Sequence, residues 1–262
     1  MHDADLDPDV LIAFAEELAD LARPIALSYF RTPLDVAAKS DDSPVTVADR
    51  TIETVLRAAI EARFPDHGIF GEEMGIKKST SPYTWVVDPI DGTKSFITGF
   101  PLFGTLVALA RDGRPFLGLI DAPATGERWM GVPGHASFAG RPATTSVCRS
   151  LADARLYTTS PDAFREESER ARWERVASEV RLRRFGGDCY IYGLLASGHV
   201  DLIVECGLQP YDYMALVPVI EGAGGVITDW EGDPLSLGSS GRVVAAATVE
   251  LHAAALQQLI QH

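Results

Sequence analysis

The chain has 262 residues, with 37 acidic and 23 basic side chains and a formal net charge of −14. That balance excludes a nucleic acid or an anionic membrane surface as the main partner, because each is bound through a basic footprint. The length fits one large domain or two lobes, and three scattered cysteines (Cys148, Cys189, Cys206) make neither a disulfide framework nor a thiolate zinc site.

The run Met1-His2-Asp3-Ala4-Asp5-Leu6-Asp7 is acidic where a secretory signal would be basic and then apolar. No stretch of about 18 apolar residues occurs, so no membrane-spanning helix is expected. A cytoplasmic protein is the default. Asp7-Pro8 reads as the cap and first turn of a helix carrying Leu11, Phe14, Leu18 and Leu21, with Pro24 expected to kink or break it. A polar loop follows over Lys39 to Pro44. A second helix starts near Thr46 and carries Ile52, Val55, Leu56, Ala59 and Ile60 on one face. Strands are predicted at Ile69-Phe70 and Tyr83 to Val87, and a hairpin from Gly104 to Ile120 turns at Arg111-Asp112-Gly113-Arg114. Arg128 to Val132 reads as another strand. Gly140-Arg141-Pro142 is a candidate linker.

The second half alternates. Strands are expected over Arg155–Thr159, Arg181–Phe185, Val200–Glu205, Gly225–Ile227 and Val243–Ala247. Helices are expected over Glu166–Ser178, Cys189–Ala196, Asp212–Gly222 and Val249–Ile260. Strands layered with helices predict an α/β or α+β fold. The six histidines are dispersed at no metal spacing and read as surface or loop residues.

The densest feature is Asp88-Pro89-Ile90-Asp91-Gly92-Thr93. An apolar strand delivers Asp88 at its carboxyl end, where α/β proteins place ligands. Asp91 lies three residues on. Gly92 and Thr93 offer consecutive backbone N–H groups for an anion. Two carboxylates beside such a nest fit a divalent cation next to a phosphate; a plain polar turn is the alternative. Gly71-Glu72-Glu73 is a second acidic cluster after a short strand. Asp212 stands where a helix starts and reads either as a helix cap or as a site residue. Asp49, in Thr46-Val47-Ala48-Asp49, fits a capping box as well as a site.

Together these segments resemble the inositol monophosphatase superfamily of metal-dependent phosphatases. The resemblance runs from Lys39 to Gly225 and includes Trp85 to Thr93, the Gly71-Glu72-Glu73 element, Pro44 to Asp49, and Tyr211-Asp212 followed by Glu221-Gly222-Ala223-Gly224-Gly225. Tyr211 replaces the more usual Trp. The resemblance implies a layered α-β-α-β-α sandwich of the inositol monophosphatase and fructose-1,6-bisphosphatase type. It also implies one catalytic domain, with residues 1–140 holding metal and phosphate and 141–262 setting specificity. Glu72, Asp88 and the Ile90 carbonyl would hold a first Mg²⁺, and Asp88, Asp91 and Asp212 a second. Glu72 would also reach a third, weaker ion, so two or three ions bind, with Mn²⁺ a possible substitute. Asp49 and Thr93 would activate water, and the Gly92 and Thr93 N–H groups would hold phosphate. The partner would be a small phosphomonoester, and the chain a homodimer.

Arg184 to Tyr190, Gly198 to Leu202, Leu208 to Tyr213 and Thr93 to Gly99 look like the histidinol-phosphatase branch, with Ser95 where many inositol-type members have Asn. The implied substrate is histidinol phosphate, with inositol 1-phosphate as the alternative. An inactive regulatory homologue would have lost a metal ligand, and none is missing. A substrate with an ammonium and an imidazole calls for extra carboxylates, and Asp188 and Glu205 are the candidates. Asp188 reads equally as a helix cap, Glu205 less readily as a strand-end surface acid. Arg184 reads as a substrate contact or as the partner of a neighbouring acid.

Overall fold

The structure, a computed structural model, describes residues 7–33, 36–38 and 44–260. The acidic run before Asp7 and most of the predicted 39–44 loop lie outside the described residues. The chain opens with α1 (Pro8–Tyr29), capped by the Asp7 carboxylate, which accepts from Asp9 N at 3.0 Å. Against expectation α1 runs unbroken through Pro24. The proline removes one backbone hydrogen bond, but Leu18, Ala19, Ala22 and Ala26 are fully buried on both sides of it and hold the two halves to one core. An unpredicted antiparallel pair follows, β1 (Val36–Ala38) with β2 (Pro44–Thr46). It leads into α2 (Val47–Arg63), which buries Ile52, Leu56 and Ile60.

Next come β3 (Gly68–Gly71), β4 (Gly75–Lys77), β5 (Tyr83–Asp91), the short helix α3 (Thr93–Ile97), β6 (Gly104–Arg111), β7 (Arg114–Ala122), β8 (Glu127–Val132), β9 (His135–Phe138) and β10 (Arg141–Pro142). The hairpin strands β6 and β7 meet at the predicted turn, where Asp112 (φ 51°) and Gly113 (φ 77°) both adopt left-handed backbone. The eight strands form one sheet in the order β10-β9-β8-β7-β6-β5-β3-β4, and only β3–β5 is parallel. The candidate linker at 140–142 is therefore an edge strand of this sheet.

The remaining elements are β11 (Arg155–Thr158), α4 (Glu167–Glu179), β12 (Leu182–Phe185), α5 (Tyr190–Ala196), β13 (Leu202–Glu205), α6 (Pro210–Tyr213), α7 (Leu216–Gly222), β14 (Val226–Thr228), β15 (Val243–Ala246) and α8 (Val249–Ile260). The helix predicted over Asp212–Gly222 is thus two short helices, beginning at Pro210. Pro218 falls in the first turn of α7, where its missing N–H has no helical partner to lose. The second sheet runs β12-β11-β13-β15-β14.

The sheets and helices stack as α-β-α-β-α. Trp85, Val87, Val107 and Leu119 of the large sheet pack on α1 and α2. Its other face, through Val86, Leu106, Ala108 and Ile120, packs on α5 and α7, which in turn meet Ile203, Val243 and Ala245 of the small sheet. Leu202, Val204 and Val244 face α4 and α8. Two histidines contradict the surface reading. His67 is buried because the Trp85 indole needs an acceptor in the core and finds His67 Nδ1 at 3.1 Å; His252 is buried against Thr228. Among the described residues no helix is long and apolar enough to cross a membrane.

The start of α7 packs directly on the large sheet at two glycines. A Cβ on Gly118 would overlap the Ala215 carbonyl, and one on Gly131 would overlap the Pro218 carbonyl. Both are rigid backbone atoms. Gly118→Ala is expected to destabilise the fold by about 3 kcal/mol through overpacking, read as a lower urea midpoint.

Candidate active site

β3 and β5 run parallel with Gly71 opposite Val87, so their carboxyl ends emerge side by side. The next residues are Glu72 and Asp88, and Glu72 N donates to the Val87 carbonyl at 3.3 Å. Asp88 and Asp91 are an odd number apart, so a regular strand would point them to opposite faces. The pairing with β6 instead slips between them: Asp88 faces Leu106 and Asp91 faces Gly104. This bulge inserts one residue and returns Asp91 to the face of Asp88. The Ile90 N–H donates to Asp88 Oδ1 at 3.0 Å, and Thr105 Oγ1 donates to the Pro89 carbonyl at 2.8 Å.

The third carboxylate comes from the middle layer. Asp212 sits in the first turn of α6, where its Oδ2 accepts from Gln209 N at 2.7 Å. The capping role and the site position coexist. One oxygen from each of Asp88, Asp91 and Asp212 lies within 4.8 Å of the others. Glu72 adjoins Asp88 closely enough to hydrogen-bond and to raise its pKa. Asp49 is fully buried in the first turn of α2, with Oδ2 accepting from Thr46 N at 2.8 Å and Thr46 Oγ1 at 2.6 Å. Its other oxygen, Oδ1, is buried with no hydrogen-bond partner. The cap reading of Asp49 therefore accounts for only half of its carboxylate.

Burial pushes the Asp88 and Asp91 carboxyls well above their ordinary value of 3.8. The charge of Glu72 adds to this at Asp88, and that of Asp188 and Asp212 at Asp91. Burial also raises Asp212 to about 7. Asp49 is raised by burial against the opposing hydrogen bonds from Thr46. Clustered, buried, all-oxygen donors with one orphaned oxygen beside them fit a hard divalent cation, which would hold the carboxylates ionised.

Gly92 is left-handed (φ 83°), and a Cβ there would come 2.7 Å from Asp188 Oδ2. Glycine is needed on both counts. It precedes Thr93 at the start of α3, and the Thr93 hydroxyl donates to the Ile90 carbonyl at 3.2 Å. Thr93 and Asp49 share no hydrogen bond among the described residues.

Asp188 closes a left-handed run, Gly186 (φ 89°), Gly187 (φ 110°) and Asp188 (φ 45°), that leads from β12 into α5. Its carboxylate accepts from Ser95 Oγ at 2.7 Å, and burial raises its pKa to about 6. Ser95, the departure from the inositol-type pattern, is thus the residue that holds Asp188. The following N–H, of Cys189, donates to Asp91 Oδ2. Glu205 is buried at the end of β13 and accepts from Thr159 N at 2.7 Å and the Tyr192 hydroxyl at 2.8 Å, so the surface reading does not hold. Arg184 is not brought into this cluster. It is exposed on the edge strand β12, with no ion pair to a neighbouring acid among the described residues. Glu53 on α2 is among the buried acids that were not anticipated. Its only signal is a charge set between Ile52 and Leu56 on a buried face.

Carboxylates converging where strands end, beside a glycine-led turn with free N–H groups, define a site for metal-assisted hydrolysis of a phosphate ester. The family follows from the whole chain: residues 7–262 match the inositol monophosphatase family, and the protein belongs to it. It is therefore a phosphatase of a metal-dependent family. The chain is 47% identical to the bifunctional phosphatase IMPL2, chloroplastic, of Arabidopsis thaliana, over 99% of this chain and 78% of that protein. It is 37% identical to the histidinol-phosphatase of Chlorobaculum parvum, over 92% and 93% of the two chains. An inositol monophosphatase from Zymomonas mobilis superposes with a TM-score of 0.88 at 45% identity, covering 98% of this chain and 100% of that one.

The raised carboxyls set a pH dependence for the metal-free protein. Unfolded chain releases the Asp212 proton near 3.8, whereas the folded protein keeps it until about 7. Stability contributed by the protonated form is complete below the lower value and is lost as pH rises through the upper one. In EDTA the Tm is expected to fall as pH rises from about 4 to about 7 and to level off above that, and a saturating divalent cation to raise it more at pH 7 than at pH 5. A cation-induced shift that shrinks with rising pH would contradict the shared carboxylate site.

Proposed function

We propose that the protein is a Mg²⁺-dependent phosphomonoesterase that hydrolyses histidinol phosphate to histidinol and phosphate. The observation that carries the substrate is the placing of Asp188 and Glu205. Asp188 adjoins Asp91, Gly92 and Ser95, and its charge is felt by Asp91; Glu205 in turn acts on Asp188. Negative charge is thus extended from the reacting centre toward the small sheet, where a substrate's ammonium and imidazole would lie. The similarity to histidinol-phosphatases supports the same reading.

Glu72, Asp88, Asp91, Asp212 and the Ile90 carbonyl would hold the ions, whose hard oxygen donors favour Mg²⁺ or Mn²⁺ over zinc. When bound, the ions supply a water of lowered pKa and neutralise charge on the phosphoryl oxygens. The N–H groups of Gly92 and Thr93 hold phosphate oxygens at the turn. Asp49 and the Thr93 hydroxyl orient the attacking water from the α2 side, and the free Oδ1 of Asp49 accepts its proton. The water oxygen attacks phosphorus in line as the bond to the ester oxygen breaks, the departing alkoxide takes a proton from solvent water, and no side chain is phosphorylated. Few basic residues are needed, which agrees with the acidic balance of the chain.

A second reading, inositol 1-phosphate hydrolysis, is favoured by the similarity to the Zymomonas mobilis inositol monophosphatase and by a Glu205 that can accept from hydroxyls. Side-by-side turnover with Mg²⁺ separates the two. Histidinol phosphate is expected to be the better substrate, and inositol 1-phosphate turning over about tenfold faster, ~1.4 kcal/mol in its favour, would reverse the assignment. Asp188→Asn, which keeps the Ser95 hydrogen bond but removes the charge, is expected to raise KM for histidinol phosphate about tenfold and to leave the concentration of Mg²⁺ needed for half activity nearly unchanged. Asp88→Asn is expected to abolish phosphate release while the circular-dichroism spectrum stays native.

A further inference from the structure

The turn that presents Glu72 is held from outside itself. Glu53, on α2 one helical turn after Asp49, has a fully buried side chain. Its Oε2 accepts from Glu73 N at 2.6 Å, and its Oε1 accepts from Met74 N at 3.0 Å and Arg57 Nε at 2.8 Å. Arg57, the next turn along α2, donates through Nη2 to the Gly75 carbonyl. Glu72 N is taken by Val87 on the opposite side. Three successive N–H groups, those of residues 72, 73 and 74, are therefore fixed by β5 and by one carboxylate. Gly71 completes the arrangement, because a Cβ there would overlap the Glu53 carboxylate. The strand end lies flush on the acid. A buried ion pair is a weak source of stability, since desolvation offsets most of its attraction. What this one supplies is geometry at a single turn.

We propose that Glu53, held by Arg57, is a positioning residue for Glu72. By fixing the 71–75 turn it sets the Glu72 carboxylate against Asp88, so that the divalent cation meets a preformed pair of ligands. α2 thereby serves the site twice, with Asp49 at its first turn and the Glu53–Arg57 clamp behind it. The inference rests on the metal reading of the site given above.

The test is Mn²⁺ binding by titration calorimetry in parallel with urea unfolding, on the wild type, Glu53→Gln, Arg57→Met, Glu72→Gln and the control Ile60→Val on the same helix. Glu53→Gln keeps the volume but turns one acceptor into a donor facing the turn. It is expected to weaken the Glu72-dependent Mn²⁺ affinity about 10-fold, the lower end for a residue that orients a metal ligand. Arg57→Met, at the partly exposed end of the clamp, is expected to weaken it in the same direction, and decides the question alone if Glu53→Gln does not fold. Ile60→Val is expected to lower the urea midpoint and leave the affinity within about twofold of wild type. Wild-type affinity in Glu53→Gln and Arg57→Met, alongside its loss in Glu72→Gln, would overturn the proposal. So would an equal loss of affinity in Ile60→Val, which would make the effect one of general stability. A wild-type protein that takes up no Mn²⁺ would overturn the metal reading itself, a different and separately visible outcome.

Discussion

Like charges gathered in a dry space repel, and much of this molecule is arranged to hold them together. Two groups of buried and half-buried acids stand out. Asp121 is clasped by Arg23 and Arg128, Asp201 by Arg155, and Glu53 by Arg57. Asp49, Asp88, Asp91 and Asp212 have no such partner among the described residues. Each instead accepts one backbone N–H, from Thr46, Ile90, Cys189 and Gln209 respectively. A peptide N–H fixes the direction of a carboxylate without cancelling its charge. The first group is neutralised and ties elements to one another. The second is aimed and given no counter-charge from the protein, which is the arrangement a cation site requires.

The fold supplies what those N–H groups need. Two parallel strands bring Glu72 and Asp88 to one edge, and the bulge in β5 turns Asp91 to the same face. Gly118 and Gly131 let the segment that carries Asp212 and α7 press onto the sheet, closing the third side. These contacts are backbone against backbone. The positions of the acids therefore depend little on flexible side chains, in keeping with a constellation that tolerates errors of only about 0.5 Å.

Much of this was legible in the sequence, for stated reasons. The acids carried their own signals, because each sits at a strand end or helix start, and Glu72, Asp88 and Asp91 adjoin a glycine or proline. The helices α1 and α2 followed from apolar periodicity. Three kinds of feature were not legible. The short strands β1, β2, β4, β9 and β10 span two to four residues, too few for a pattern. Continuity through Pro24 and the burial of His67 were decided by tertiary packing that overrides local preference. Glu53 has no motif, since its role depends on backbone groups twenty and twenty-one residues away. Arg184 misled in the opposite way: it lies next to a meaningful loop but projects from an unpaired edge.

Under the proposed function the layout separates chemistry from recognition. The acids around the reacting centre come from the large sheet, α2 and α6, whereas Asp188 and Glu205 come from the small sheet and its connection into α5. The two sets touch at Asp91, through the Cys189 N–H, and at Gly92, against the Asp188 side chain. A lineage can thus rewrite the Gly186-Gly187-Asp188 loop, or its Ser95 support, while leaving the hydrolytic centre intact. Near relatives of one architecture can then diverge in what they cleave by altering a few residues on one shore of the cleft, and intermediates along that path would retain turnover on both substrates.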